Sequence, residues 1–457
     1  MAKNENTRRI VFVSRRMSGE SLQVARAIAR LDRVQLFGIC EQLPGVAASG
    51  VFIDLVCVAD THDSAQLIDA ARQVINKHGT LNQIVTTQET LLEPVAQATA
   101  TFKLPGMSLD TVRRALDKSC LKRILSQAGI RTARDQLITD SANGRRFAAE
   151  VGFPMILKPL RGSGGLATWC VRSEEQLELA LELMGPSKEQ AVLAEDYLVG
   201  QELSIDTITI ENDPRFHSIC CYRPSILEAL ENPAIQWSCV MPRDIDGSRY
   251  HEFIEHGLAA VRALSVGNAM THMEGFLLDD GGVCFTDATL RPAGARIGPM
   301  LAFAYDIDTY TAWARAAVDG AFDGPWERKY AVGTIFLRGS GSGTVEQIYG
   351  MESARTELTN MLMDFRLPRH GAAKSATYTG DGYITVRHPE TRAVEDALDF
   401  ISETVRITYN DSEIHTSPET DMRKRWEQRL QYFTKELNKP AWDYDLAALQ
   451  EIRQEVS

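Results

Sequence analysis

Residues 271–296 constrain the fold of this chain more than any other stretch, because they predict a two-stranded hairpin with charged groups on one face. The apolar runs 271–278 and 283–290 flank the sequence Asp-Asp-Gly-Gly at 279–282, which is typical of a tight turn. Side chains alternate between the two faces of a strand, so every second residue of each run shares a face. The hairpin is therefore expected to gather its polar residues on one side.

Two acids are expected to oppose each other on that face. If Leu278 pairs with Val283, then Glu274 pairs with Asp287, and their Cβ atoms lie about 5 Å apart. Like charges in this position destabilise a hairpin. A divalent cation between them would reverse the effect, and carboxylate oxygens suit Mg²⁺ or Mn²⁺. The alternative is a surface hairpin whose acids point into water.

Polar and cationic residues follow the two acids. Thr289 and Arg291 continue the same face, and Arg296 comes after a Pro-Ala-Gly turn. Acids that hold a metal, followed by arginines that hold anions, are what a nucleoside triphosphate site requires. Arg291, on the face of the two acids, is predicted to bind an anion. For Arg296 two interpretations stay open: it binds a substrate carboxylate, or it forms a salt bridge to the central domain.

Net charge and cysteine content argue against several classes of protein. The 457-residue chain has a formal net charge of −12 and a pI near 5.4, which disfavours a broad nucleic-acid or anionic-membrane surface. Its eight cysteines are scattered without a C-x-x-C pair, as expected of reduced thiols in a cytoplasmic protein. Uncharged apolar runs long enough to span a membrane are missing from the sequence. These properties favour an enzyme that acts on small molecules.

The first hundred residues alternate short apolar runs with amphipathic stretches. Helical patterns near 20–31 and 63–78 separate the apolar runs, and this order predicts βαβ units and a parallel sheet. The sequence after the first run lacks G-x-G-x-x-G, and no P-loop motif occurs in the chain. The predicted strands cover residues 9–14, 34–40, 51–58 and 82–87.

A second hairpin is predicted to carry a glycine-rich tip. A helical stretch over 109–129 precedes it, the strand 151–160 enters it, and residues 168–173 return from it. Lys158 lies near the end of the entering strand, where its ammonium group suits a phosphate, and glycines let backbone N–H groups approach the same phosphate. Taken alone, such a tip is also typical of a flexible turn. The tip residues are Gly162, Ser163, Gly164 and Gly165.

These motifs, in this order, resemble those of the ATP-grasp superfamily of carboxylate-amine ligases over roughly residues 1–410. Lys118 resembles the helix lysine that reaches the nucleotide phosphates, and Lys158 with the glycine tip resembles the second lysine and its mobile loop. The resemblance also implies a hinge that contacts adenine and an acid that binds ribose. The hinge and the acid are represented here by Glu195, Asp196, Leu198 and Glu202.

The resemblance also covers the acidic hairpin, with one departure. Glu274 matches the first metal ligand of the family, and Asp287 with Thr289 stands at the second metal position. Relatives usually have a glutamate there, followed two residues later by an asparagine. Aspartate is one methylene shorter, and a threonine hydroxyl is a poorer ligand than an amide carbonyl. The second metal position is therefore where this chain differs from the family pattern.

The implied fold combines α/β and α+β parts. It is an ATP-grasp fold with an N-terminal Rossmann-like parallel sheet, a central lid subdomain and a C-terminal β-rich lobe, with a terminal helix beginning near Asp421. The expected units are an N-terminal domain (1–108), an N-lobe with the glycine-rich lid (109–198), a C-lobe with the metal hairpin (199–330) and a C-terminal β-rich unit with its helix (331–457).

The resemblance implies a ligase that uses ATP with Mg²⁺ or Mn²⁺. In such a ligase Arg291 would steady the transferred phosphoryl group or the tetrahedral intermediate formed when the amine attacks. Such an enzyme converts a small carboxylic acid, here an amino acid or a similar metabolite, into an acyl phosphate and couples it to an amine, releasing ADP and phosphate. A cytoplasmic homodimer is implied, without nucleic-acid or membrane partners. The alternatives are a biotin-carboxylase-like or purine-pathway ligase, and a non-catalytic ATP-binding protein.

Overall fold

The computed structural model describes residues 7–162, 164–165, 167–411 and 418–437. Its first unit consists of β1 (Arg8–Val13), α1 (Gly19–Ala29), β2 (Val34–Cys40), β3 (Asp54–Cys57), α2 (Ser64–His78), β4 (Gln83–Thr86) and α3 (Leu92–Thr101). The strands form a parallel sheet in the order β3-β2-β1-β4. A short 3-10 turn at Glu89–Leu91 follows β4. The parallel sheet predicted from the alternating pattern is confirmed.

Two helices connect this sheet to the next unit. They are α4 (Leu109–Leu116) and α5 (Lys118–Gln127). The prediction of one helical stretch over 109–129 is wrong in this respect, because Asp117 leaves the helical conformation at φ −90° and ψ 110°. Its carboxylate caps α5 by accepting a hydrogen bond from the backbone N–H of Cys120 at 2.9 Å. Lys118 is thereby the first residue of α5.

The second unit is a small sheet with two helices, here called the lid unit. Its elements are β5 (Asp135–Ile138), α6 (Ser141–Val151), β6 (Met155–Pro159), β7 (Trp169–Val171), α7 (Glu174–Met184) and β8 (Val192–Asp196). The strand order is β5-β8-β6-β7, and all neighbouring strands are antiparallel. Residues 161–168 between β6 and β7 are called the glycine loop. Within it, Ser163 and Leu166 lie outside the described residues.

The largest sheet has eight strands and contains the acidic hairpin. The elements of this part are β9 (Gly200–Ile210), β10 (Asp213–Arg223), α8 (Ile226–Glu231), β11 (Trp237–Met241), α9 (Ser248–Leu264), β12 (Ala269–Leu278), β13 (Val283–Thr289), α10 (Ile297–Tyr305) and α11 (Thr309–Ala314). A π-helical turn at Arg315–Asp319 follows α11. Helix α9 packs against one face of the sheet through an apolar core that includes Phe253 and Phe285.

The C-terminal part continues the same sheet. Its elements are β14 (Ala331–Leu337), β15 (Ser342–Tyr349), α12 (Met351–Glu357), β16 (Leu362–Arg366), β17 (Gly382–His388), α13 (Thr391–Thr404), β18 (Arg406–Asp411) and α14 (Pro418–Leu437). The order in the large sheet is β13-β12-β9-β10-β11-β14-β17-β16, and β15 pairs with β18 separately. The boundary expected at residue 330 therefore falls inside a continuous sheet, between β11 and its neighbour β14. Among the described helices, none has the length and apolar character needed to cross a bilayer.

Candidate active site

The acidic hairpin has the expected pairing of its two acids, although its register is irregular. Glu274 pairs with Asp287, as the sequence predicts. Near the turn, however, Val283 pairs with Leu277 and not with Leu278. A β-bulge beside Glu274 inserts one extra residue in β13 and corrects the offset. The expected pairing at the turn is therefore wrong by one residue, whereas the expected pairing of the acids is confirmed.

Glu274 is the end of a buried chain of polar groups. Its Oε1 lies 3.4 Å from Nε2 of His272 and accepts a hydrogen bond from the hydroxyl of Tyr222 at 3.4 Å. Nδ1 of His272 lies 2.9 Å from Oδ1 of Asp206 on the neighbouring strand β9. Burial raises the pKa of Glu274, but the hydrogen bond and charge of His272 outweigh burial and bring that pKa below its usual value. Glu274 is thus ionised and held in one orientation.

Lys118 connects the second acid to the glycine loop. Its Nζ lies 2.8 Å from Oδ2 of Asp287 and donates a hydrogen bond to the carbonyl of Gly162 at 2.8 Å. The backbone N–H of Lys118 also donates to the carbonyl of Leu160, at 3.0 Å. Burial lowers the pKa of Lys118, but the negative charge of Asp287 outweighs burial, and the net shift is upward. The lysine is therefore a fixed cation between the hairpin and the loop.

Glu195 holds two further lysines. Nζ of Lys158 lies 2.7 Å from Oε2 of Glu195, and Nζ of Lys122 lies 2.9 Å from Oε1. All three side chains are buried. Burial raises the pKa of Glu195, but the charges of the two lysines outweigh burial and lower that pKa to about 2. The carboxylate of the expected hinge is therefore turned toward the lysines, and the next hinge residue, Asp196, pairs with Arg134 at 3.0 Å.

Glu202 lies beside the hairpin on β9. Its Oε2 accepts a hydrogen bond from the backbone N–H of Ile226, the first residue of α8, at 2.7 Å. Burial is the main cause, and repulsion from Glu274 the second, of a rise in the pKa of Glu202 to about 8. A buried carboxyl group that is neutral at pH 7 can both donate and accept hydrogen bonds. Paired hydroxyl groups, such as those of a ribose, are suited to such a partner.

A single cavity, here called the central cavity, brings most of the expected nucleotide and metal residues together. It lies between the lid unit and the eight-stranded sheet, and Gly164 and Thr289 line a neighbouring cavity instead. The expected residues that line the central cavity are Lys118, Lys158, Gly162, Gly165, Glu195, Asp196, Leu198, Glu202, Glu274 and Asp287.

The neighbouring cavity, here called the second cavity, reveals a residue that sequence reasoning missed. Oε2 of Glu89 accepts hydrogen bonds from the Thr289 hydroxyl at 2.8 Å and from the Arg291 guanidinium at 3.0 Å. Glu89 belongs to the N-terminal unit, so the contact joins that unit to the end of the hairpin. Ligands of α/β sheets bind beyond the carboxyl ends of the strands. The position of Glu89 just after the predicted strand 82–87 was therefore a usable signal.

Arg296 lies away from both cavities. It has a left-handed backbone conformation (φ +64°) immediately before α10. Its guanidinium forms an ion pair with Asp364 of β16, and its Cζ lies 4.0 Å from the centre of the Tyr383 ring. The Tyr383 hydroxyl donates to the same Asp364 carboxylate at 3.1 Å. Of the two interpretations left open by the sequence, the structure shows a salt bridge, made to the C-terminal part of the large sheet.

Phe433 of α14 is a second residue that the sequence did not reveal. It is buried against Ala167 and lines the central cavity together with Lys118 and Glu274. In the sequence, α14 lies more than 200 residues after the residues of the lid unit that line the same cavity. A charged helical pattern at the end of a chain carries no sign of such a contact, because the contact depends on tertiary packing.

The chain is similar to known proteins both in sequence and in fold. Residues 117–205 match the family described as carbamoyl-phosphate synthase L chain, ATP binding domain. The L-arginine-specific L-amino acid ligase of Bacillus subtilis is 22% identical over 262 residues, which are 56% of this chain and 62% of that enzyme. The chain therefore spans less than two thirds of that relative's length.

Solved structures share the fold over nearly the whole chain. The L-amino acid ligase of Bacillus licheniformis superposes with a TM-score of 0.70 at 19% identity, covering 89% of this chain and 100% of that structure. The carboxyaminoimidazole ribonucleotide synthase of Aspergillus clavatus, solved with ATP, gives a TM-score of 0.64 at 17% identity, covering 88% and 100%. With the family match over residues 117–205, these superpositions show that the chain has the ATP-grasp fold.

Proposed function

We propose that this protein is an ATP-dependent ligase that joins a small carboxylic acid, with an amino acid as the favoured class, to an amine. One observation carries the proposal: Lys118 pairs with Asp287, directly across the hairpin from Glu274, inside the cavity that Lys158 also lines. Phosphate-binding cations and acids suited to a metal thus meet at one place. The similarity to two amino acid ligases supports the choice of substrate class.

The residues at this place suit the chemistry of acyl phosphates. In the first step, a carboxylate oxygen of the acid attacks the γ-phosphorus of ATP, the bond to the bridging oxygen breaks, and ADP leaves. In the second step, the amine nitrogen attacks the acyl carbon and loses a proton, and phosphate leaves with the oxygen it received. Lys118 and Lys158 would bind the nucleotide phosphates. Each lysine now has a carboxylate partner, Asp287 or Glu195, which a phosphate would share.

Glu274 and Asp287 fit a divalent cation such as Mg²⁺. Both carboxylates line the central cavity, and they are paired across neighbouring strands. Hard oxygen donors of this kind suit Mg²⁺ or Mn²⁺. The bound cation would supply charge neutralisation for the approach of one anion to another. The Thr289 hydroxyl donates its hydrogen to Glu89, so its oxygen could bind a metal only through its lone pairs.

The second cavity is the proposed position of the acid substrate and of the acyl phosphate. It is contiguous with the acidic hairpin, since Glu274 and Asp287 line both cavities. Arg291 and Tyr378 also line it and would face the transferred group. The Arg291 guanidinium is held by Glu89 and by the carbonyl of Pro292 at 2.7 Å, so its donors are already oriented. Preorganised donors stabilise developing charge without a reorganisation cost.

The proposal is tested by measuring phosphate release from ATP and Mg²⁺ with amino acids and amines, singly and in pairs. Release that requires one acid and one amine together, with the amide product identified by mass spectrometry, is the expected result. Stimulation by an aminoimidazole ribonucleotide and bicarbonate would instead favour the purine-pathway alternative. Binding of ATP without turnover for any pair, combined with loss of binding in Glu274→Ala, would favour a non-catalytic ATP-binding protein.

Cytoplasmic location and a homodimeric assembly stay predictions from the resemblance.

A further inference from the structure

The C-terminal helix α14 lies directly across the glycine loop. The guanidinium of Arg429 donates hydrogen bonds to the carbonyl of Gly165 at 2.9 Å and to the carbonyl of Thr168 at 2.5 Å. Arg429 is buried, with 6% of its surface exposed. A buried guanidinium is stable where its donors find acceptors, and here both loop carbonyls accept from its Nη2. The helix therefore binds the loop through its backbone.

Phe433, one turn further along α14, packs on the same loop from the side of the central cavity. A Cβ atom placed on Gly162 would lie 2.2 Å from Cε2 of the Phe433 ring, so the ring contacts the loop backbone directly. Gly162 also has φ +109°, which only glycine adopts without strain. The carbonyl of this glycine accepts the hydrogen bond from Lys118. Phe433, Gly162 and Lys118 thus form one contiguous part of the cavity wall.

Other contacts fix the position of α14 independently of the loop. The Trp426 indole stacks on Trp169 of β7, with ring centres 4.6 Å apart and an interplanar angle of 3°. Arg423 forms an ion pair with Glu182 of α7 at 2.7 Å. The guanidinium of Arg425 donates to the carbonyl of Glu231, the last residue of α8, at 2.7 Å. The helix therefore joins the lid unit to the large sheet on both sides of the cavity.

We propose that α14 is part of the nucleotide-binding site: Phe433 contacts the bound nucleotide, and Arg429 holds the glycine loop over it as a positioning residue. The proposal rests on the proposed binding of ATP in the central cavity. A helix that only stabilised the lid unit would need the Trp426 stack but would not need an aromatic ring on the cavity wall. Base–aromatic and ribose–aromatic contacts are common in nucleotide recognition, because a flat ring provides a large apolar surface.

The first test measures ATP affinity by calorimetry in the full-length protein and in three variants. Phe433→Ala should raise the Kd for ATP at least tenfold, and Phe433→Leu, which keeps an apolar side chain, should raise it about threefold. Gln431→Ala, an exposed residue of the same helix, is the matched control and should bind like the wild type. In steady-state assays the KM for ATP should rise in parallel with Kd, whereas the KM for the acid should not change.

The second test needs no mutation. Hydrogen exchange of the wild-type protein, with and without saturating ATP, should show at least tenfold slower exchange in the α14 peptide that contains Phe433, and unchanged exchange in α13. Wild-type Kd in both Phe433 variants, or exchange in α14 that ATP leaves unchanged, would overturn the proposal for α14 while ATP binding itself stood. A wild-type protein that bound no ATP would instead overturn the proposed function. The ATP affinity of the wild type therefore distinguishes a failure of the α14 proposal from a failure of the proposed function.

Discussion

The carboxylate of Glu89 lies 3.0 Å from the guanidinium of Arg291, so an acid of the N-terminal unit orients the cation that follows the acidic hairpin. The two side chains are 13% and 17% exposed, which places the pair largely out of water. Hydrogen bonds to charged groups in such surroundings contribute about 1.5–3 kcal/mol. The N-terminal unit therefore contributes to the second cavity, although the residues proposed to bind the nucleotide lie in other units.

Replacing Glu89 should affect the acid substrate more than ATP. Glu89→Gln removes the negative charge that holds Arg291, and we expect kcat/KM for the acid to fall about 10–100-fold. The KM for ATP should stay within about twofold, because Glu89 lines the second cavity and not the central cavity. Initial rates at varied acid and varied ATP separate the two effects. Asp69→Asn, at an exposed ion pair of α2, serves as the control, and an equal rise in both KM values would contradict the assignment.

Lys158 is expected to bind a phosphate. Lys158→Ala should lower turnover by about 10²–10³-fold, as the loss of one preorganised charge usually does. The fold should survive, because Glu195 keeps its contact with Lys122 at 2.9 Å. Lys188→Ala, an exposed lysine of the lid unit, is the control. Turnover at the wild-type level in Lys158→Ala, with an unchanged circular dichroism spectrum, would remove Lys158 from the site.

Glu195 should make the stability of the protein depend on pH in acid. Its pKa in the folded protein is about 2, below the ordinary value of 4.5. A lowered pKa gives stability that is complete above pH 4.5 and is lost as the pH falls toward 2. Urea titrations at a series of pH values should show this fall in the free energy of unfolding in the wild type, and a smaller fall in Glu195→Gln.

The same variant has a second expected effect at neutral pH. Glu195→Gln leaves Lys122 and Lys158 buried without their counter-charge, and we expect its free energy of unfolding at pH 7 to fall by about 3–5 kcal/mol. Glu178→Gln, which alters an exposed pair with Arg145, should cost less than about 1 kcal/mol. If both substitutions lowered the free energy of unfolding equally, burial of the two lysines would not explain the cost of Glu195→Gln.

Arg296 should contribute to stability and not to catalysis. Arg296→Ala loses the ion pair with Asp364 and the contact with the Tyr383 ring, which together contribute about 1–2 kcal/mol. Ligation should stay within about threefold of the wild type. Arg392→Ala, at an exposed pair of α13, is the control. A tenfold rise in the KM for the acid at unchanged stability would restore the substrate-carboxylate interpretation.

The parts of the site that the sequence predicted are those fixed by local geometry. Strand alternation sets Glu274 and Asp287 on one face whatever the rest of the chain does. Even there, the predicted pairing next to the turn differs from the structure by one residue, because an alternating pattern does not reveal a β-bulge. The break at Asp117 was missed for a related reason: the residues on both sides of it are helical, and a single capping residue interrupts them.

The missed parts depend on tertiary packing. Glu89 approaches Arg291 across 202 residues of chain, and the pairing of Arg296 with Asp364 joins the start of α10 to β16. Their partners could not be chosen from composition or periodicity, since many acids of the sequence are equally available. Glu89 was at least marked by its place after a parallel strand. Phe433 had no such mark.

The contact between Arg429 and Gly165 joins residues 264 positions apart. At a synthesis rate of about 5–20 residues per second, the glycine loop leaves the ribosome roughly 13 to 50 seconds before the helix that covers it. Late in that interval, once β13 has been made, a nascent chain has its lysines and acidic hairpin but lacks the Phe433 wall. If α14 contributes to ATP binding as proposed, high affinity for the nucleotide arises only when α14 docks, and a partly synthesised chain binds ATP weakly.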